Sequence, residues 1–316
     1  MRAAVIDAFG PVSNLEVRDI PRPTINPGQI LVEVHAASVN PIDWKIREGV
    51  MAARYGKDFP MVLGLDASGV VKEVGESVHG FSVGDEVYAR SDNGPGKCYA
   101  EFVTLNPSTV AAKPPQLSHT EAAGIPLAAL TPLYGLRDCG RVQPGDRILL
   151  VGASGGVGVF AIQIAKALGA HVTGVCSGRN TDLVRALGAD EVIDYTTEDV
   201  LKEGDDYDII YDAVGALELA AALTALHRDG VYLTLVPVPG IEFFVHGQTL
   251  RESGKGYFVV WTPHAEDLDL LSEWVASGEL RPVIDSEFSL DDIRDAHERS
   301  QTERAVGKII IKVREN

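Results

Sequence analysis

The chain has 316 residues, 45% hydrophobic and 23% charged, which suits a globular protein with room for two cores. Its formal net charge of −17 argues against nucleic acid and anionic membranes as partners, since both would repel so acidic a surface. The start, MRAAVIDAFG, lacks the charged-then-apolar pattern of a secretory signal, no run reaches the length of a membrane span, and the isolated Cys98, Cys139 and Cys176 match no metal spacing. A cytoplasmic location is therefore expected.

From residue 1 to about 115 the chain is rich in Val, Pro and Gly. Short alternating runs such as Ile30-Leu31-Val32-Glu33-Val34 and Gly69-Val70-Val71-Lys72-Glu73-Val74 are separated by turn signals at Pro27-Gly28 and Val83-Gly84-Asp85, which predicts a compact β domain. Pro114-Pro115 breaks the chain, and Ser118 with Glu121 forms a capping box at the head of an alanine-rich helix. Strands then alternate with helices at Arg147 to Val151, His171 to Cys176, Glu191 to Asp194, Asp208 to Asp212, Gly230 to Leu235 and Tyr257 to Val260. That order predicts a doubly wound parallel sheet. Helices near Ala265 to Ser277 and Leu290 to Ser300 and a strand Lys308 to Val313 follow, expected to complete the first domain. The division reads as residues 1–120 with 264–316, and 121–263 inserted between them.

The first of those six strands runs into GASGGVG, Gly152 to Gly158. The apolar residues Val157, Phe160, Ala161, Ile164, Ala165 and Leu168 then recur with helical spacing up to a glycine stop at Gly169. Strand, glycine turn and helix make an anion cradle for a dinucleotide pyrophosphate: Gly152 and Gly155 allow the tight turn and close approach, and Gly158 lets helix and strand pack closely. Ser154, Gly155, Gly156 and Val157 are the residues expected to hold it. At the end of the second strand, where an acidic residue usually binds the ribose of NAD, the chain reads Cys176-Ser177-Gly178-Arg179-Asn180. A hydroxyl and a guanidinium there favour the 2′-phosphate of NADPH. The alternative is that Ser177 caps the next helix and Arg179 is solvated. Asp182 lies nearby, inside that helix and expected to face solvent.

The run GDRILLVGASGGVGVFAIQIAK, Gly145 to Lys166, resembles the signature of the zinc-free quinone oxidoreductases and enone reductases, the zeta-crystallin-like branch of the medium-chain dehydrogenase/reductase superfamily. SVNPIDWKIREG (Ser38 to Gly49), GLDASGVVKEVG (Gly64 to Gly75), FSVGDEVYA (Phe81 to Ala89), LGADEVIDY (Leu187 to Tyr195) and GKIII (Gly307 to Ile311) extend the likeness over nearly the whole chain. It implies an α/β architecture, a GroES-like β-rich catalytic domain joined to a Rossmann domain, and a homodimer formed through the sheet edge at Tyr257 to Val260. It also implies cofactor contacts from Thr131, Tyr195, Val214, Val236, Phe258 and Val260, the apolar ones at strand ends where bare residues would read as core.

Zinc-dependent relatives carry cysteine, histidine and cysteine where this chain has Asn40, Leu65 and Leu127, and Asp66 alone cannot supply three ligands, so no metal is expected. Without a Lewis acid the chemistry suits acceptors that take a hydride directly, namely quinones and α,β-unsaturated carbonyls, whose oxygen then needs a donor. The resemblance places Asn40 to Tyr55 opposite the nicotinamide. Asn40 and Asp43 are expected to orient ribose or substrate, Lys45 to support an enolate or hold the ribose, and Tyr55 to supply a proton. The plainer alternatives are a turn contact for Asn40, a helix cap for Asp43 ahead of a short helix through Lys45 to Glu48, and solvation for Lys45. The expectation is an NADPH-dependent quinone or enone reductase; its rival is a non-catalytic NADPH-binding sensor or structural protein.

Overall fold

The computed structural model describes residues 1–236, 256–258 (backbone only) and 263–314. Among these, the chain divides into two compact units: Met1–Ala128 with Pro263–Gly278 and Pro282–Asn316, and Ala129–Thr262 with Glu279–Arg281.

The first unit carries β1 (Arg2–Ile6), β2 (Glu16–Asp19), β3 (Ile30–Val39), α1 (Pro41–Arg47), α2 (Ala52–Tyr55), β4 (Met61–Val62), β5 (Asp66–Val74), β6 (Glu86–Arg90), β7 (Phe102–Leu105), β8 (Val110–Ala112) and α3 (His119–Ala123). Most of its strands join one mixed sheet, together with two from the end of the chain, β15 (Ile284–Ser289) and β16 (Lys308–Lys312), in the order β15-β16-β3-β5-β6-β8, with β7 also on β3, and a small antiparallel sheet β2-β1-β4 completes it. The long strand β3 is the organiser. Val32, Val34, Ala37 and Val39 from β3 pack with Ala67 and Val71 of β5 and Ile309 and Ile311 of β16 in one apolar core. Ser118 heads α3 as expected: its hydroxyl accepts from the Glu121 N–H while the Glu121 carboxylate accepts from the Ser118 N–H.

Within α4 (Pro126–Leu133) the chain enters the second unit, and the helix runs on into a π-helical turn, Tyr134–Cys139, that follows Pro132. Then come β9 (Arg147–Val151), α5 (Gly158–Ala167), β10 (His171–Cys176), α6 (Thr181–Ala186), β11 (Glu191–Asp194), β12 (Tyr207–Asp212), α7 (Leu219–Thr224), β13 (Leu226–Thr234) and β14 (Gly256–Phe258). The sheet order is β11-β10-β9-β12-β13-β14, and every neighbouring pair is parallel. Numbered within that sheet the order is 3-2-1-4-5-6, the doubly wound arrangement, with its reversal between β9 and β12. The chain returns to the first unit with α8 (Ala265–Ser277), β15 (Ile284–Ser289), α9 (Ile293–Gln301) and β16 (Lys308–Lys312).

Three expectations shift. The first unit runs to Ala128 rather than 120 because the Leu127 N–H donates to the buried Asp66 carboxylate at 3.0 Å. Residues 279–281 join the second unit because Gln163 on α5 clamps Arg281, donating to its carbonyl at 3.0 Å and accepting from its N–H at 2.9 Å. The strand read as Gly230 to Leu235 begins at Leu226. Of the strand read as Tyr257 to Val260, Val259 and Val260 lie outside the described residues.

Candidate functional site

The carboxyl ends of β9, β12 and β13 meet in a set of turns at the sheet's reversal, where ligands of this fold rest. Gly152 leaves β9 in the left-handed region, φ +81°, and a Cβ on it would lie 2.8 Å from Cγ1 of Val214, so only glycine fits. A Cβ on Gly158 would lie 2.1 Å from the Gly152 carbonyl oxygen, which explains the close seat of α5 on the turn. Gly155 is different. It is not in the left-handed region, and a Cβ there would meet only the Gly152 oxygen at 3.4 Å, an ordinary contact. Among the described residues nothing requires glycine at 155, and none of them fills the space a phosphate group would take. No side chain among the described residues caps the head of α5; its Val159 and Phe160 N–H groups donate to the Gly155 and Val157 carbonyls, while the N–H groups of Gly156 and Val157 in the turn have no backbone acceptor and remain for an anion. The residues present fit a dinucleotide pyrophosphate.

Asp212, fully buried at the end of β12, holds the neighbouring turn. Its carboxylate accepts from the N–H groups of Val214 (3.1 Å), Gly215 (2.7 Å) and Leu217 (3.0 Å) and from the Tyr232 hydroxyl (3.1 Å). A Cβ on Gly215 would lie 2.9 Å from Cβ of Val236, which is itself fixed by Thr234. Gly152, Val214 and Val236 are thus brought together. Thr131 is buried on α4, the Phe258 backbone pairs with Thr234, and Val260 lies outside the described residues.

The ribose corner forms where β10 ends. Ser177 makes no helix-capping bond, so the plainer reading of that residue does not hold. Arg179 is exposed, and Asp182 is fully exposed, as expected. Tyr195, half exposed, is drawn to the same corner by its N–H, which donates to the Cys176 carbonyl. Two neighbours went unforeseen. The Asn180 amide donates to both Ser154 (2.9 Å) and Ser177 (3.3 Å). The Asp194 carboxylate, at the end of β11, accepts from Thr196 and Gly178, and these bonds hold it below the usual carboxylate range.

In the first unit, Asn40 and Asp43 belong to a buried network. Asp66 accepts from Ser38 (2.9 Å), from the Asn40 amide (2.9 Å) and from the Leu127 N–H (3.0 Å), while the Lys308 ammonium donates to Asn40 Oδ1 at 2.5 Å. Asp43 Oδ2 accepts from the Asn40 N–H and the Tyr99 hydroxyl, both at 2.8 Å. The plainer reading put Asp43 ahead of a helix through Lys45 to Glu48; α1 instead begins at Pro41 with Asn40 as its cap, and Asp43 stands inside its first turn, where its carboxylate completes a capping box by accepting from the Asn40 N–H. Burial raises the Asp43 carboxyl to about 7 and raises Asp66; it lowers Lys308, against the pull of both carboxylates. Lys45 stays half-buried, its ammonium 5.4 Å from the Trp44 ring centre, outside this network. Among the described residues the buried Tyr55 hydroxyl on α2, Asp43 Oδ1 and Trp44 Nε1 have no partner, so one short segment concentrates unsatisfied polar atoms.

The positions at which zinc-dependent relatives place ligands are occupied otherwise. Asn40 is bonded to Asp66 and Lys308, Leu65 is fully buried, and Leu127 offers a backbone N–H. Among the described residues no group of three or more His, Cys, Asp or Glu could hold a metal ion. This donor set does not fit zinc. No helix among the described residues is long and apolar enough to cross a membrane.

Fold and site together define the class: a dinucleotide-dependent oxidoreductase built from a GroES-like unit and a Rossmann unit. Residues 26–124 match the alcohol dehydrogenase GroES-like domain family and residues 187–311 the zinc-binding dehydrogenase family, whose name this chain's residues do not support. The mouse (Mus musculus) mitochondrial NAD(P)H oxidoreductase RTN4IP1 is 37% identical over 99% of this chain and 89% of its own length. The 2-methylene-furan-3-one reductase of Solanum lycopersicum is 36% identical over 98% of this chain and 79% of its own. Among solved structures, the Coxiella burnetii quinone oxidoreductase superposes with a TM-score of 0.87 at 33% identity, over 99% of each chain. The Escherichia coli quinone oxidoreductase complexed with NADPH superposes with a TM-score of 0.84 at 26% identity, over 99% of this chain and 100% of that one. The chain belongs to the medium-chain dehydrogenase/reductase superfamily, in its quinone oxidoreductase and enone reductase branch.

The raised Asp43 carboxyl has a consequence for stability. A carboxyl that binds its proton more tightly when folded contributes stability that is lost as pH rises, here between its ordinary 3.8 and about 7. Asp43→Asn keeps an acceptor for Asn40 and Tyr99 but cannot ionise. Denaturant unfolding of the native protein is expected to lose stability relative to this variant across that window, on the order of 4 kcal/mol. Parallel pH profiles would contradict the assignment.

Proposed function

We propose that the chain transfers a hydride from NADPH to a quinone or an α,β-unsaturated carbonyl, without a metal. The observation that carries the cofactor choice is the corner at the end of β10, where an uncapped Ser177 hydroxyl and the exposed Arg179 stand and β10 itself ends without a carboxylate. The acceptor class is supported by relatives named quinone oxidoreductase and 2-methylene-furan-3-one reductase. When bound, the nicotinamide supplies the hydride.

The remaining work falls to the chain's own groups. The head of α5 and Ser154 hold the pyrophosphate, Ser177 and Arg179 take the 2′-phosphate, and Val214 and Val236 flank the bound ring system. Lys45 and Tyr55 donate to the substrate oxygen on which charge develops, and the unpartnered Tyr55 hydroxyl supports that role. Asn40 and Asp43, both buried and already bonded, are positioning residues: they fix the head of α1 and hence the helix that carries Lys45. One observation favours NADH instead, the Asp194 carboxylate, to which a Cβ on Gly178 would approach within 2.4 Å.

Following NADPH absorbance with a panel of quinones and enones tests the reaction. Turnover with at least one acceptor is expected, with NADPH preferred over NADH and Arg179→Ala weakening NADPH about tenfold. Tight NADPH binding with no turnover by any acceptor would instead identify a sensor or structural protein, and equal use of both cofactors would overturn the phosphate assignment.

A homodimer joined along the β14 edge of the six-stranded sheet is part of this proposal. Sedimentation equilibrium is expected to give twice the 33.8 kDa chain mass, and a single-chain mass would refute it.

A further inference from the structure

We infer that Asn180 sets the hydrogen-bond polarity of both phosphate-binding serines, and so makes the protein's preference for a 2′-phosphorylated dinucleotide depend on one amide. The inference rests on the proposed NADPH reading and deepens it.

Asn180 stands at the head of α6, where an asparagine ordinarily turns its side-chain oxygen onto the helix's own N–H groups. Here it makes no such cap. Its Nδ2 instead donates to Ser154 Oγ at 2.9 Å, 26 residues away in the glycine turn, and to Ser177 Oγ at 3.3 Å at the end of β10. An amide nitrogen has two hydrogens, and the two serines use both. Each serine oxygen therefore accepts from within the protein, which leaves each hydroxyl hydrogen free to donate outward. Both serines are half-buried.

The chemistry that such a pair recognises is anionic. A phosphate oxygen only accepts, so a hydroxyl committed as an internal acceptor is preset to be its donor. Ser154 faces the pyrophosphate turn, common to both dinucleotides, and Ser177 the corner where only a 2′-phosphate would lie. An acceptor at position 180 would draw both hydroxyl hydrogens inward and present oxygen lone pairs to the phosphates. Asn180→Asp makes that change with almost no change in shape, and Asn180→Ala removes the preset without reversing it.

Equilibrium titration with NADPH, NADH and adenosine 2′,5′-bisphosphate measures the effect independently of turnover. For Asn180→Ala, NADPH affinity is expected to fall about tenfold and NADH affinity less, so the preference narrows. For Asn180→Asp, NADPH and the bisphosphate are expected to weaken about a further tenfold. In a Ser154→Ala, Ser177→Ala background, Asn180→Ala should add nothing. Thermal unfolding of the unliganded variants should match the native protein, because Asn180 caps no helix; a role in folding alone would move the unfolding midpoint and leave the cofactor ratio intact. If the native protein prefers NADPH and either variant keeps the native ratio, or Asn180→Asp binds as well as Asn180→Ala, the inference is wrong while the NADPH reading stands. If the native protein shows no preference, both fail.

Discussion

The four hydrogen bonds received by the Asp212 carboxylate hold the edge on which the candidate site depends. β12 ends there in a turn whose Val214, Gly215 and Leu217 N–H groups lie beyond the strand, and a buried N–H left unpaired costs on the order of 1–3 kcal/mol. Asp212 collects them and adds the Tyr232 hydroxyl from β13. The turn so fixed carries Val214 to a place where Gly152 can have no side chain. The glycine of the phosphate turn therefore answers partly to a neighbouring strand, and the sheet's reversal acquires its shape before any ligand arrives.

The first unit repeats the device with Asp66. One buried carboxylate gathers Ser38 and Asn40 from the end of β3 and Leu127 from α4, and the Lys308 ammonium on β16 is tied to it through Asn40. Burial opposes the charge on both carboxylates and on the ammonium. Removing one member would strand the others, so such networks are sensitive to single changes while adding little net stability of their own. What this one contributes is position: it sets the start of α1 and the segment on which unsatisfied polar atoms concentrate.

Periodicity made the second unit's strands legible, and β9, β10 and β11 begin and end where alternation and glycine stops placed them. The capping box at Ser118 and the helix Ala265–Ser277 were legible for the same local reasons. β15, Ile284–Ser289, was not, because only Ile284 and Phe288 of IDSEFS are apolar, with Ser286 between them on the same face, and its pairing with β16 is decided by a partner in space. Asn180, Asp194 and Asp212 escaped notice because a polar residue beside a turn is ordinary in sequence, and only the fold shows that one amide spans 26 residues to reach Ser154. Lys308 does carry a local signal, a lone charge opening the apolar run Ile309-Ile310-Ile311.

The central claim is that the opening at Gly155 exists for a ligand and not for the protein. Gly155→Ala separates the two. Among the described residues its Cβ would meet nothing closer than 3.4 Å, and the backbone there is not left-handed, so thermal stability should be unchanged or slightly raised. Dinucleotide affinity, measured by titration with NADPH, should fall at least about tenfold, the consequence of a carbon where phosphate oxygens approach. A variant that lost stability but bound NADPH like the native protein would contradict the account.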